Sequence, residues 1–317
     1  MNSAAKAIAF LFPGQGSQTV GMGRELAERH PVARQTFEEA DAALGYALSA
    51  LCWEGPEEKL KMTEITQPAI LTVSVAAWRV LAERGVEPAF VAGHSLGEYS
   101  AHVAAGTLTF ADAVRTVRNR GRYMQEAVPA GEGAMAAILG MALEAVQQVC
   151  AEAAQGGVVE PANINSPEQI VVSGNKAAVE RAAELAKQRG AKRAVMLPVS
   201  APFHCSLMRP AQERLAADLR ALSFSNPRIP VVNNVDAALT TAAEPARDAL
   251  IRQVTGAVQW VRSMQELIAQ GASMFVEVGP GKVLCGLLRQ IDRAQTSMNV
   301  EDEASLGKTL EKMTAVA

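Results

Sequence analysis

The sequence predicts an α/β protein whose mostly parallel sheet is interrupted by a small inserted domain. Three observations predict it. Short apolar runs alternate with helical periodicities along 317 residues, 49% of them hydrophobic, enough for one large core carrying an insert. One run, Ala89 to Ala92, ends in Gly93-His94-Ser95-Leu96-Gly97 and passes at once into a helical pattern, the order strand, sharp turn, helix. Between about 134 and 197 the order becomes βαββαβ, that of a ferredoxin-like unit. The expected layout is a large domain over 1–128 and 198–317 and a small ferredoxin-like domain over 129–197.

Taken in order, Ile8 to Phe12 reads as a buried strand running into Pro13-Gly14-Gln15-Gly16-Ser17-Gln18, then a helix near Met22 to His30. Helical patterns follow from Val32 to Leu44 and Glu57 to Lys61. Thr66-Gln67-Pro68 opens a long amphipathic helix to Glu83, which Gly85 ends. Beyond the nucleophile turn, Phe110 to Met124 is a helix carrying Arg115, Arg118, Arg120 and Arg122. The insert holds strands at 134–139, 158–164, 169–173 and 193–197, with helices at 143–154 and 176–189. The large pattern resumes at Ser200-Ala201-Pro202-Phe203-His204. A helix over 206–222, a strand over 228–234, helices over 245–254 and 259–269, a strand over 274–278 and a helix to Gln290 follow. The charged tail, 299–314, holds one short helix.

Composition excludes several classes. Net charge is −3 with both signs mixed, so no basic stripe calls for nucleic acid or an anionic membrane. Cys52, Cys150, Cys205 and Cys285 are scattered, which favours free thiols over disulfides or a metal site. No apolar run reaches the length of a membrane span. The run before Pro13-Gly14 is short and reads as a first core strand, not a signal peptide. A cytoplasmic monomer without cofactor is expected. Gly279-Pro280-Gly281-Lys282 is not a phosphate loop, because Val276 stands where the first glycine belongs.

The Gly-x-Ser-x-Gly turn makes the large domain α/β-hydrolase-like and Ser95 the candidate nucleophile. A tight turn with an N-capping serine is the alternative role. At the apex, Oγ is exposed at the positive end of the next helix. The N–H of Leu96 points into the same space and suits a developing oxyanion. Gln15, between two glycines, offers a second fixed N–H. A serine needs a base. His30 ends a charged surface helix and reads as solvated. His94 either shapes the turn or contacts substrate. His102 forms an exposed i,i+4 pair with Glu98. His204, alone in the loop that restarts the large domain, fits the pocket best. No acid between Ser95 and His204 falls at a strand end. The expectation is therefore a Ser–His dyad whose Nδ1–H rests on a backbone carbonyl. Cys205 is a small core residue. Arg120 shares the Val117 and Met124 side of its helix, and a buried arginine needs an anion.

Seven strings run along the chain: FPGQGSQ (12–18), GHSLGEYSA (93–101), RGRYMQEAVP (120–129), ANINSPEQIVVSG (162–174), SAPFHCSLM (200–208), VQW (258–260) and EVGPGKVL (277–284). In that order they resemble the malonyl-CoA:acyl carrier protein transacylases of bacterial type II fatty acid synthesis. The resemblance implies Ser95 as nucleophile, His204 as base, Arg120 as the carboxylate-binding residue, and the N–H groups of Gln15 and Leu96 as oxyanion hole. It also implies that the carbonyl of Gln253 orients His204. Malonyl-CoA and acyl carrier protein are the implied partners, and malonyl-serine the implied intermediate. Two departures stand out. QVTGAVQW carries Gly256-Ala257 where an Asn-Pro pair is usual, and His102 replaces an aliphatic residue. Phe203, beside His204, is expected to leave little room for an α-methyl group, favouring malonyl over methylmalonyl. The competing readings are a serine thioesterase or other hydrolase, an acyltransferase serving a polyketide synthase or malonate decarboxylase, and a noncatalytic carrier-binding module.

Overall fold

The computed structural model describes residues 7–199 and 201–314. Ser200, first residue of the return loop, lies outside the described residues, as do 1–6 and 315–317 of the expected large domain.

Among the described residues, ten strands build two sheets: β1 Ala7–Phe12, β2 Phe90–Gly93, β3 Gly133–Leu139, β4 Val159–Ser166, β5 Gln169–Asn175, β6 Arg193–Met196, β7 Val231–Val232, β8 Leu239–Thr240, β9 Ala272–Val278 and β10 Thr296–Val300. The first sheet runs β10-β9-β1-β2-β7-β8 and is parallel except for β8, which pairs antiparallel with β7. The second runs β4-β5-β3-β6, wholly antiparallel. The fold is thus mixed α/β with a parallel-containing sheet.

Alternation along β1 explains the layering. Phe10 and Phe12 face a core with the helices Thr63–Glu83 and Phe110–Glu126, while Ala9 and Leu11 face a second core with Trp260, Phe275 and Leu288. The four-stranded sheet has its own core of Val, Ile and Ala under its helices Leu143–Ala154 and Lys176–Gln188. Strand β4 is tied to the segment before the helix Trp260–Ala269, where Ile164 N–H donates to Val258 O (2.9 Å) and Val258 N–H to Ala162 O (2.8 Å).

Several expectations shift. The long helix starts at Thr63, before Thr66, and Pro68 lies inside it as its sixth residue, where it forgoes the helical bond to Glu64 O. It also has the length and hydropathy of a membrane span, contrary to the expectation that no such run exists, but 78% of its most apolar window is buried within the protein. The strand expected over 228–234 pairs only at Val231–Val232. Pro230 has no N–H to give, and Asn233-Asn234 starts the turn to β8. A helix at Leu48–Glu54 and strands β8 and β10 are additional.

Candidate active site

Strand β2 ends at Gly93, and the helix Gly97–Ala104 begins four residues later. This bend is possible only without side chains on its glycines. A Cβ on Gly93 would lie 1.9 Å from the backbone of Gly97, and one on Gly97 would lie 2.0 Å from Phe12 O. Ser95, at the apex, is held at φ 51°, a left-handed conformation that non-glycine residues adopt at a cost. The surroundings fix it: Ser95 N–H donates to Asn234 Oδ1 (2.7 Å), and Ser95 O accepts from Gln253 Nε2 (2.9 Å).

The return loop brings His204 to the turn, with Nε2 2.7 Å from Ser95 Oγ. Its Nδ1 faces two carbonyls, Gln253 O at 2.9 Å and Gly256 O at 3.2 Å. Only a protonated Nδ1 satisfies them, so Nε2 is the lone-pair nitrogen that accepts the serine hydroxyl. Burial, with the Arg120 charge second, pushes the imidazole down to about 3 and keeps it neutral. The unusual Gly256-Ala257 turn therefore supplies a second acceptor for the ring.

Arg120 is 1% exposed, on the side of its helix that the spacing assigns it. Nη1 donates to Gln67 Oε1 (2.9 Å), and Nη2 to Gln253 Oε1 (2.9 Å) and Ser95 Oγ (3.1 Å). Its Nε–H is buried without a partner. A guanidinium held only by neutral oxygens, with three of its five donors used, has the chemistry to receive an anion.

These groups line a cavity of about 770 Å³ between the two sheets, to which Met135, Asn163 and Leu197 contribute from the smaller one. Gln15 and Phe203 border it. Leu96 N–H precedes the first helical turn, where there is no intrahelical acceptor. His94 turns to Asn165 Oδ1 (2.8 Å) and lies against the Trp260 ring while still reaching the cavity wall. Cys205 donates to Pro202 O, and burial lifts its thiol to about 11, so it stays protonated. Among the described residues no group of three or more His, Cys, Asp or Glu gathers to hold a metal.

Two histidines are not where the sequence placed them. His102 and Glu98 do not form an exposed pair: both are fully buried, 3.9 Å apart. The helix that follows the serine is buried on every face, so an i,i+4 charge pattern there is no sign of exposure. His30 is not simply solvated, since its Nε2 meets Glu303 at 2.7 Å. Sequence reasoning also missed Gln67, Asn234, and the side chain of Gln253. The signals were faint: a glutamine beside a proline, and an asparagine pair after a short strand.

Comparison with known proteins follows this geometry. A model of the acyl transferase domain matches residues 9–316. The malonyl CoA-acyl carrier protein transacylase of Escherichia coli (strain K12) is 53% identical over 305 residues, covering 96% of this chain and 99% of that protein. The corresponding transacylase structure from Coxiella burnetii superposes with a TM-score of 0.96 at 45% identity, covering 98% of each chain. A malonyl-transacylase in complex with its type II polyketide synthase acyl-carrier protein superposes at 0.95, with 50% identity over 96% of this chain and 99% of that one.

Proposed function

The chain belongs to the acyl transferase domain family, and on that premise we propose how Ser95, His204 and Arg120 divide its reaction. The enzyme is an acyltransferase that moves malonyl groups from malonyl-CoA to acyl carrier protein, in supply of fatty acid biosynthesis. The observation that carries the mechanism is a single oxygen, Ser95 Oγ, lying 2.7 Å from His204 Nε2 and 3.1 Å from Arg120 Nη2.

His204 Nε2 takes the serine proton as Oγ attacks the thioester carbon. The tetrahedral oxyanion sits between the N–H groups of Leu96 and Gln15, each such donor contributing on the order of 3 kcal/mol. The C–S bond breaks, and CoA leaves with the proton from His204. The thiol of the carrier then gives its proton to His204 and attacks the malonyl-serine ester, and Oγ regains a proton as it departs: a ping-pong cycle. Arg120 reaches the cavity beside Ser95 Oγ and receives the free malonyl carboxylate on its guanidinium, which selects against neutral acyl groups. Phe203, at the cavity wall, crowds the α-carbon and favours malonyl over methylmalonyl. We read the four-stranded unit as a ferredoxin-like insert at 129–197 in a hydrolase-like large domain, a reading its strand order supports. We read the protein as a cytoplasmic monomer that uses no cofactor; the buried free cysteines fit a reducing compartment.

The test is intact mass after mixing with malonyl-CoA. One malonyl adduct is expected on the parent enzyme and none on Ser95→Ala; a labelled alanine variant would put the nucleophile elsewhere. The relative bound to a polyketide synthase carrier supports a second acceptor of that kind, and transfer assays with both carriers decide between them.

A further inference from the structure

Resting on the reading of Ser95 and His204 as nucleophile and base, we propose that Glu98 supplies the acid this dyad lacks, as a positioning residue that holds both members through Asn234 and Gln253. Glu98 lies one helical turn after Ser95 and is fully buried. Its Oε2 accepts from Asn234 N–H (3.0 Å) and from Gln253 Nε2 (2.8 Å). Each of those residues then grips the site. Asn234 Oδ1 takes Ser95 N–H, while its Nδ2 donates to Gly93 O (2.7 Å), pinning the strand end before the bend. Gln253 holds three groups: Ser95 O through Nε2, Arg120 through Oε1, and His204 through its backbone carbonyl.

The Gln253 amide could sit either way round, and Glu98 decides which. With Nε2 toward the carboxylate, Oε1 faces the guanidinium and every contact is attractive. Reversed, two oxygens meet at Glu98 and two N–H donors meet at Arg120. Glu98 thus fixes the orientation of Arg120 and the left-handed backbone of Ser95 without touching the reacting atoms. Its negative charge also opposes the Arg120 field, so its removal leaves the guanidinium a stronger receptor for a carboxylate.

The test uses Glu98→Gln above pH 7, where the parent carboxyl, pushed up to about 7 by burial, is ionised; the variant keeps the shape and one acceptor oxygen but loses that charge. Acylation of Ser95 by malonyl-CoA is followed by rapid-quench mass spectrometry, with thermal melting to establish folding. The maximal rate should fall on the order of tenfold, as for a charge-assisted hydrogen bond made neutral, while KM for malonyl-CoA does not rise. Glu98→Gln combined with Gln253→Ala should be slowed by clearly less than the product of the two single effects, because Glu98 acts in part through Gln253 and in part through Asn234. If Glu98→Gln does not fold, Glu98→Asp, which withdraws the carboxylate from both amides, carries the same comparison. A folded variant acylating at the parent rate, or costs that simply add, overturns the inference. A parent enzyme that forms no adduct on Ser95 overturns instead the reading it rests on.

Discussion

Two strands of the parallel-containing sheet, β2 and β9 on either side of β1, end in glycine-rich turns that lead into helices, and only one of those turns carries a nucleophile. After β2 the turn is His94-Ser95-Leu96. After β9 it is Gly279-Pro280-Gly281-Lys282, and the helix Val283–Ile291 follows. Both helix starts are close to a buried carboxylate. Glu277 Oε2 accepts from Cys285 N–H (2.8 Å), whereas Glu98 Oε2 accepts from Asn234 and Gln253. The second turn ends in a local cap. The first is reached by distant segments: His204 from the return loop, Arg120 from the helix Phe110–Glu126, Asn234 from just after β7, and Gln253 from the end of Ala243–Gln253. A strand-turn-helix with glycines is a recipe for exposing a side chain. What makes it a site is what the rest of the chain brings to that side chain.

The comparison breaks most sharply at Gly97. Alanine there places a methyl 2.0 Å from Phe12 O, on the backbone of a central strand that cannot yield. Gly97→Ala is expected to cost about 4 kcal/mol or more, read as a large drop in melting temperature together with loss of Ser95 labelling. Next in size is Arg120→Ala. A selectivity for malonyl over acetyl is expected to collapse by roughly a hundredfold, the size expected when a buried charged pair is removed. Acetyl transfer should hold or rise, since the guanidinium no longer occupies Ser95 Oγ or depresses His204. Equal loss with both substrates would mean that Arg120 serves the fold and not the carboxylate.

How much of this was legible in the sequence follows from the same contrast. The bend around Ser95 was readable because a close approach leaves a local signature, two glycines flanking a serine after an apolar run. The burial of Arg120 was readable from helical phase. His204 stood out by elimination and by its loop, and Gln253 was named only through resemblance. The inward role of Glu98 was hidden, because a Glu four residues before a His reads as a surface pair when nothing local tells that a helix is enclosed on all sides. Asn234 was hidden for a different reason. Its contacts to the serine turn span over a hundred positions, and a two-residue strand leaves almost no periodicity to place it.

The two helices also differ in what they bury. Val283–Ile291 buries Leu284, Cys285, Leu287 and Leu288, while Gly97–Ala104 buries Glu98 and His102. Burial pushes His102 down to about 3. Neutral when folded, it takes a proton in the unfolded chain once pH falls below about 6.5, so it withdraws stability as pH drops through that window, about 2 kcal/mol by pH 5. Glu98, pushed up to about 7 by burial, acts in the opposite sense, shedding its penalty as pH falls. His102→Leu, which removes one term and fits an apolar surround, should therefore shrink the loss of melting temperature between pH 7 and pH 5. An unchanged loss would show that His102 is already charged in the fold.

The smallest effect belongs to the turn without a site. Gly281 has φ 82°, so alanine there is strained, but the nearest atom to its Cβ would be Ser17 Cβ at 3.6 Å, ordinary contact. Its N–H donates to Glu301 Oε2 (2.8 Å), a bond that alanine retains. The cost is thus that of one left-handed non-glycine residue, about 1 kcal/mol. Glycine here serves a backbone angle, whereas Gly97 serves a close approach, and the two uses separate in measurement. Gly281→Ala should lower the melting temperature by a few degrees and leave Ser95 acylation at the parent rate. A marked loss of acylation would mean that this second turn is coupled to the first through the loop Pro13 to Gln18, where Ser17 and Gln15 lie between them, and the separation of the two turns into site and scaffold would no longer hold.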